Sequence, residues 1–195
     1  MSALSVVAVD HYFAYGSNMN PARVRERGLR VTAVCGAWLK DRRLVFDKVS
    51  RFAGSESHLN PVHAKSAEFR ASETPSATGR SRLHPNAAHA NIAYAPGERV
   101  EGVLYKLARA DEILKMDPFE RAPWNYGRDA VQVQAGEDLI WAWTYFANPA
   151  VRRDGLNPPA EYLAHMLAGR DYLSADYFER LARTPVADRA GARGG

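Results

Sequence analysis

Tyr12-Phe13-Ala14-Tyr15-Gly16-Ser17-Asn18-Met19-Asn20-Pro21 reads as a strand that runs straight into a turn and then a helix. Tyr12, Phe13 and Tyr15 are bulky residues suited to a pleated sheet. Gly16, Ser17 and Asn18 stop the strand, and glycine permits backbone angles that set successive N–H groups on one side. Asn20 and Pro21 then have the chemistry of a helix N-cap and first helical residue. Two readings of this junction stand side by side. It is a tight strand-to-helix turn, or it is a place that holds a negative or partly negative oxygen.

Working outward, residues 20–27 form a short expected helix closed by Gly28, the residue type common just past a helix end. Residues 31–34 and 37–46 look like strands. From Ser50 to Ala88 the composition shifts to Ser, His, Arg, Pro and Ala with no sustained period, which marks a functional loop or a disordered insertion. His58, His63, His84 and His89 fall in or beside it, but no cysteine or helical His spacing accompanies them, so no metal is assigned. Residues 89–94 and 100–105 flank Ala95-Pro96-Gly97-Glu98 and carry the signature of a β-hairpin. A short helix is expected over 110–116 and a loop with two prolines over 117–124. Strands follow at 128–134 and 139–146, separated by a turn at 135–138. Two helices end the fold, one over 158–168 with Asn157 as cap and Gly169 beyond it, one from the Ser174 cap to Leu181. A disordered tail is expected over 188–195. Strands first and helices last give an α+β class, a curved mixed sheet or small β-barrel flanked by helices, in a single domain with an insertion at about 50–88.

The 195 residues are long enough for one domain with a proper core, and 46% hydrophobic with 25% charged residues is an ordinary globular balance. The net charge of +4 comes from 26 Lys and Arg interleaved with 22 Asp and Glu. Its densest basic pairs, Arg42-Arg43 and Arg152-Arg153, have no interleaved aromatic platform, so nucleic acid is not the expected partner. Cys35, the sole cysteine, excludes an intrachain disulfide, and its apolar surroundings predict a small core residue. No signal peptide and no membrane-spanning run are read from the sequence, so a cytoplasmic protein is expected. Oligomeric state does not follow from these residues.

A second constellation lies at Met116-Asp117-Pro118-Phe119-Glu120-Arg121-Ala122-Pro123-Trp124-Asn125-Tyr126-Gly127-Arg128. Partial burial beside Phe119 would raise the Glu120 pKa into the range useful for proton transfer. The alternative is a surface ion pair of Glu120 with Arg121 or Arg128. No nucleophile elbow, Walker loop or dinucleotide fingerprint is present.

Taken together these segments resemble the γ-glutamylcyclotransferases and their AIG2-like relatives. Phe13 to Asn18 is similar to the signature loop of that family. Residues 44–50 resemble its second strand region, with Asp47 where the family often has Asn, and residues 90–106 resemble its central hairpin. Asp117-Pro118-Phe119-Glu120 matches its Asp-x-x-Glu element, and residues 159–162 and 173–177 fit its C-terminal helices. The order is preserved over most of residues 11–185 apart from the insertion.

The resemblance implies release of an amine or amino acid from a γ-glutamyl group, with closure of the glutamyl part into 5-oxoproline. The substrate's own α-amine is the nucleophile, so neither an enzymic nucleophile nor a metal or organic cofactor is called for. Glu120 is implied as the catalytic acid/base, and Tyr15, Gly16, Ser17, Asn18 and Tyr126 as substrate-binding residues. Two departures stand out. Arg121 takes the place of a common glycine, where a cation would lower the pKa of the base, and the 50–88 insertion is long. They leave room for a non-catalytic binding module, or for a biosynthetic cyclotransferase acting on a carrier-bound intermediate.

Overall fold

The computed structural model describes residues 8–50 and 87–187. The bulk of the expected insertion and the expected tail lie outside these residues. Five strands close into a barrel: β1 (His11–Ala14), β2 (Val31–Val49), β3 (Ala88–Leu107), β4 (Tyr126–Ala135) and β5 (Asp138–Ala147), in the spatial order β1-β3-β2-β4-β5. The barrel is mixed. β1 runs antiparallel to β3 and parallel to β5, with Tyr12 opposite Trp143. β1 is short and nearly all buried because it has a partner on each side and core on its face; Phe13 is fully buried within the hydrophobic core. Closure leaves the barrel no free edge among the paired segments.

Among the described residues, four α-helices flank it: α1 (Pro21–Glu26), α2 (Asp117–Glu120), α3 (Ala160–Leu167) and α4 (Ala175–Ala182). At α1 the Asn20 side chain accepts the Ala22 N–H at 2.9 Å and Pro21 opens the helix, as the sequence indicated. Gly28 follows its end at φ +77°. The Ser174 hydroxyl caps α4 by accepting from the Tyr177 N–H. None of the described helices is long and apolar enough to cross a membrane.

Four local expectations are corrected. The two strand segments at 31–34 and 37–46 are one strand, β2. The Pro96-Gly97 turn does not fold a hairpin; both its flanks belong to β3, and each pairs with a different part of β2. Arg99 lies opposite Lys40 and Tyr94 opposite Arg42, so residues 95–98 bulge out beside Asp41 alone. Proline lacks the ladder N–H and is tolerated in a bulge, and Gly97 at φ +81° donates its N–H to Asp41 Oδ1 at 2.9 Å. Asn157 does not cap α3. Its carbonyl accepts from the Ala88 N–H in a bridge to the barrel, and Pro159 occupies the cap position. Cys35 is exposed rather than core: β2 is solvent-facing at residues 32, 33 and 35 and enters the core only from Ala37.

Candidate functional site

The expected loop over 117–124 begins as a one-turn helix. A 3₁₀ helix, Ala110–Met116, runs into α2, and Pro118 sits in its first turn, where a missing N–H costs no hydrogen bond. Asp117 anchors this turn: it accepts from Arg128 Nη1 at 2.8 Å and from the Tyr145 hydroxyl at 2.7 Å. α2 ends at Arg121, in left-handed conformation at φ +52°, and Glu120 is thereby turned inward. The Arg121 residue is exposed. A non-glycine residue in this region is strained by its Cβ, which accounts physically for a glycine preference here.

Glu120 meets the turn that follows β1. Asn18 donates one amide N–H to Glu120 Oε1 at 2.9 Å and another to the Tyr12 hydroxyl at 2.8 Å. Arg27, just past α1, donates to Glu120 Oε1 at 3.2 Å and to Asn18 Oδ1 at 2.9 Å. Its guanidinium also lies over the Phe119 ring, 4.7 Å from the centroid. The Asn18 carbonyl accepts from the Tyr105 hydroxyl at 2.8 Å, so main chain and side chain of Asn18 are both fixed. Both donors converge on Oε1.

Burial pushes the Glu120 pKa up, against the Arg27 charge, the Asn18 and Arg27 hydrogen bonds and the more distant Lys48 charge, all of which pull it down. Its side chain is only 16% exposed, which explains why desolvation prevails over a neighbouring cation. Neither surface pair considered from sequence forms. Arg128 pairs with Asp117, and the guanidinium on Glu120 belongs to Arg27. The feature that favoured a non-catalytic module, a cation supplied by Arg121, is therefore not what contacts this carboxylate.

A cleft of about 310 Å³ of empty space, part of it open solvent, is lined by Glu120 together with Tyr15, Gly16, Ser17, Asn18 and Tyr126. All six residues singled out in the sequence thus border one cavity. They present different chemistry to it. The Tyr126 hydroxyl donates to the Ala90 carbonyl at 2.8 Å and the Tyr15 hydroxyl to the Tyr145 carbonyl, so both polar tips are engaged within the protein. Gly16 is needed for close approach: a Cβ there would lie 2.6 Å from the Tyr162 hydroxyl oxygen.

Sequence reasoning missed Arg27, Tyr12 and Tyr162. Arg27 ends a helix, where a cation is ordinary because it complements the macrodipole. Tyr12 and Tyr162 read as strand and helix packing residues. The one available signal was spacing: Asn18 and Arg27 lie at the two ends of the same short turn–helix unit.

A family model described as gamma-glutamyl cyclotransferase, AIG2-like, matches residues 52–164, more than half of the chain. No curated protein matches the chain. Among solved structures, a gamma-glutamyl cyclotransferase is similar at 21% identity, with 93% of this chain and 90% of that one covered and a TM-score of 0.65. An uncharacterized protein from Homo sapiens is similar at 22% identity over 93% and 90% of the two chains, with a TM-score of 0.66. A yeast gamma-glutamyl cyclotransferase described as specific to glutathione shares 12% identity over 88% and 93%, at a TM-score of 0.54. These likenesses establish the fold, and the matched family model establishes the lineage: the chain belongs to the AIG2-like gamma-glutamyl cyclotransferase family.

Proposed function

We propose that this protein is a γ-glutamyl cyclotransferase that converts a small γ-glutamyl amine or peptide into 5-oxoproline and a free amine, with Glu120 as general acid and base. The observation that carries this reading is a mostly buried carboxylate at the wall of the cleft, with one oxygen braced by Asn18 and Arg27.

The chemistry balances with this single group. The substrate's α-ammonium gives a proton to Glu120, and the freed amine attacks the γ-carbonyl carbon. As the new C–N bond forms, the carbonyl oxygen takes up negative charge. Glu120 passes its proton to the leaving nitrogen, the old C–N bond breaks, and a second proton follows the same route. Two protons thus move from the attacking to the departing nitrogen, and Glu120 ends as it began. A pKa raised by burial suits a group that must both accept and return a proton near neutral pH. Backbone N–H groups of the Tyr15–Asn18 turn are suited to the developing oxyanion, where one donor is worth roughly 2.7–4 kcal/mol. Holding amine and carbonyl together in the cleft contributes through proximity.

The test is 5-oxoproline release from a panel of γ-glutamyl dipeptides and amines by wild type and Glu120→Gln. Turnover by wild type, reduced about 10²–10⁴-fold in the variant, is the expected result. Equal turnover by the two proteins overturns the assignment of Glu120.

A further inference from the structure

Tyr162 enters the cleft from the first turn of α3, a helix that the proposed chemistry has not so far used. Its hydroxyl oxygen accepts the Ala90 N–H at 3.1 Å. A phenol oxygen has two lone pairs and one proton of its own. The Ala90 N–H takes one of those lone pairs, and the phenol's own O–H points away from that donor.

The ring around it is fixed. His89 stacks on Tyr162 at 4.7 Å with the planes 12° apart, and the absent Cβ of Gly16 leaves room for the hydroxyl tip.

We propose that the Tyr162 hydroxyl is itself a member of the oxyanion site, taking the Ala90 donor on its oxygen and directing its own O–H to the γ-carbonyl oxygen of the substrate. This rests on the cyclotransferase reading above. The donor arriving on the oxygen polarises its O–H bond, so the hydroxyl relays its effect into the cleft. Burial, with the Glu120 charge adding to it, holds the Tyr162 pKa up to about 12. The phenol remains protonated at neutral pH and acts as a hydrogen-bond donor, while proton transfer stays with Glu120. The roles divide between two sequence-distant elements: α2 moves protons and α3 steadies charge.

The test is Tyr162→Phe, which keeps the ring that stacks on His89, measured beside wild type and Glu120→Gln for kcat, KM and affinity for 5-oxoproline. An oxyanion donor acts only in the transition state, so kcat should fall about 10²–10³-fold while KM and product affinity move less than about threefold. Incorporation of 3-fluorotyrosine at position 162 should restore most of kcat, because it returns the donor. A merely structural role would lower substrate and product affinity together with kcat, and that result overturns the proposal. So does a kcat within about threefold of wild type in a protein whose turnover depends on Glu120. If wild type releases no 5-oxoproline from any γ-glutamyl substrate, the cyclotransferase reading itself falls, and this proposal with it.

Discussion

Arg27 Nη1 stands 3.2 Å from Glu120 Oε1 and 2.9 Å from Asn18 Oδ1, so one guanidinium braces both the carboxylate and the amide that holds it. The pair is mostly buried, with side chains 12% and 16% exposed. In such surroundings removing one partner leaves the other an uncompensated buried charge. The triad also carries opposing influences on one pKa: burial raises it, and Arg27 restrains the rise.

Arg27→Met should therefore raise the Glu120 pKa further, since it removes a cation and a hydrogen bond to the charged form. In the proposed role of base, Glu120 must be ionised to start the reaction. The acid limb of the kcat profile should move to higher pH, while turnover well above that limb recovers towards wild type. A pH–rate profile of the variant that overlays wild type would show that Arg27 does not set the base.

The same burial has a sign for stability. A carboxylate whose folded pKa lies above its unfolded value contributes stability below the unfolded pKa, and loses it as pH rises through the folded pKa. At neutral pH the ionised Glu120 thus weakens the fold. The difference in melting temperature between Glu120→Gln and wild type should therefore move in the variant's favour as pH rises from below the ordinary carboxylate range near 4.5 to 7–8. Melting scans across pH measure this, and a difference that does not change with pH contradicts it.

His89 behaves in the opposite sense. Burial, with Lys48, Arg23 and Arg27 nearby, lowers its pKa from 6.5 to about 4. The neutral ring contributes stability above pH 6.5 that is lost as pH falls towards about 4. Because the ring stacks on Tyr162, this loss should appear at the cleft as well. His89→Gln should flatten the decline of the denaturation midpoint between those two pH values, and an unchanged slope would show that His89 is not responsible.

Arg121→Gly should be harmless to catalysis. The side chain is exposed, and its backbone at φ +52° and ψ 44° is one that glycine adopts without strain. Relief of a left-handed non-glycine residue offsets the greater chain entropy of glycine, so a stability change within about 1 kcal/mol is expected. Turnover should stay near wild type; a large gain in turnover would mean that Arg121 restrains Glu120 after all.

The sequence was legible where chemistry is local. The Asn20–Pro21 start of α1, the Ser174 cap and the Gly136 turn between β4 and β5 all depend on neighbours within a few residues, and each forms. It misled where the partner is remote. Pro96-Gly97 has hairpin chemistry, but β2 is long enough to pair with both flanks, which turns the hairpin into a bulge. Cys35 sits in an apolar run, yet whether that run is covered depends on where β2 enters the barrel. Within the site, Glu120 and the Tyr15–Asn18 turn were legible as motifs. Arg27 was not, because its task is defined by a residue far along the chain and its own surroundings suggest only a helix ending.

The Asn18–Glu120 hydrogen bond joins residues 102 positions apart in the chain. Asn18 is placed by β1, which is held by β3 on one side and β5 on the other, and Glu120 is delivered by the segment between β3 and β4. A contact of this kind forms only after the chain entropy of the intervening residues has been lost. The carboxylate therefore acquires its burial and its guanidinium only once these distant segments are brought together. A chain halted before that step would carry every residue of the site and an ordinary solvated glutamate, chemically silent until the barrel shuts.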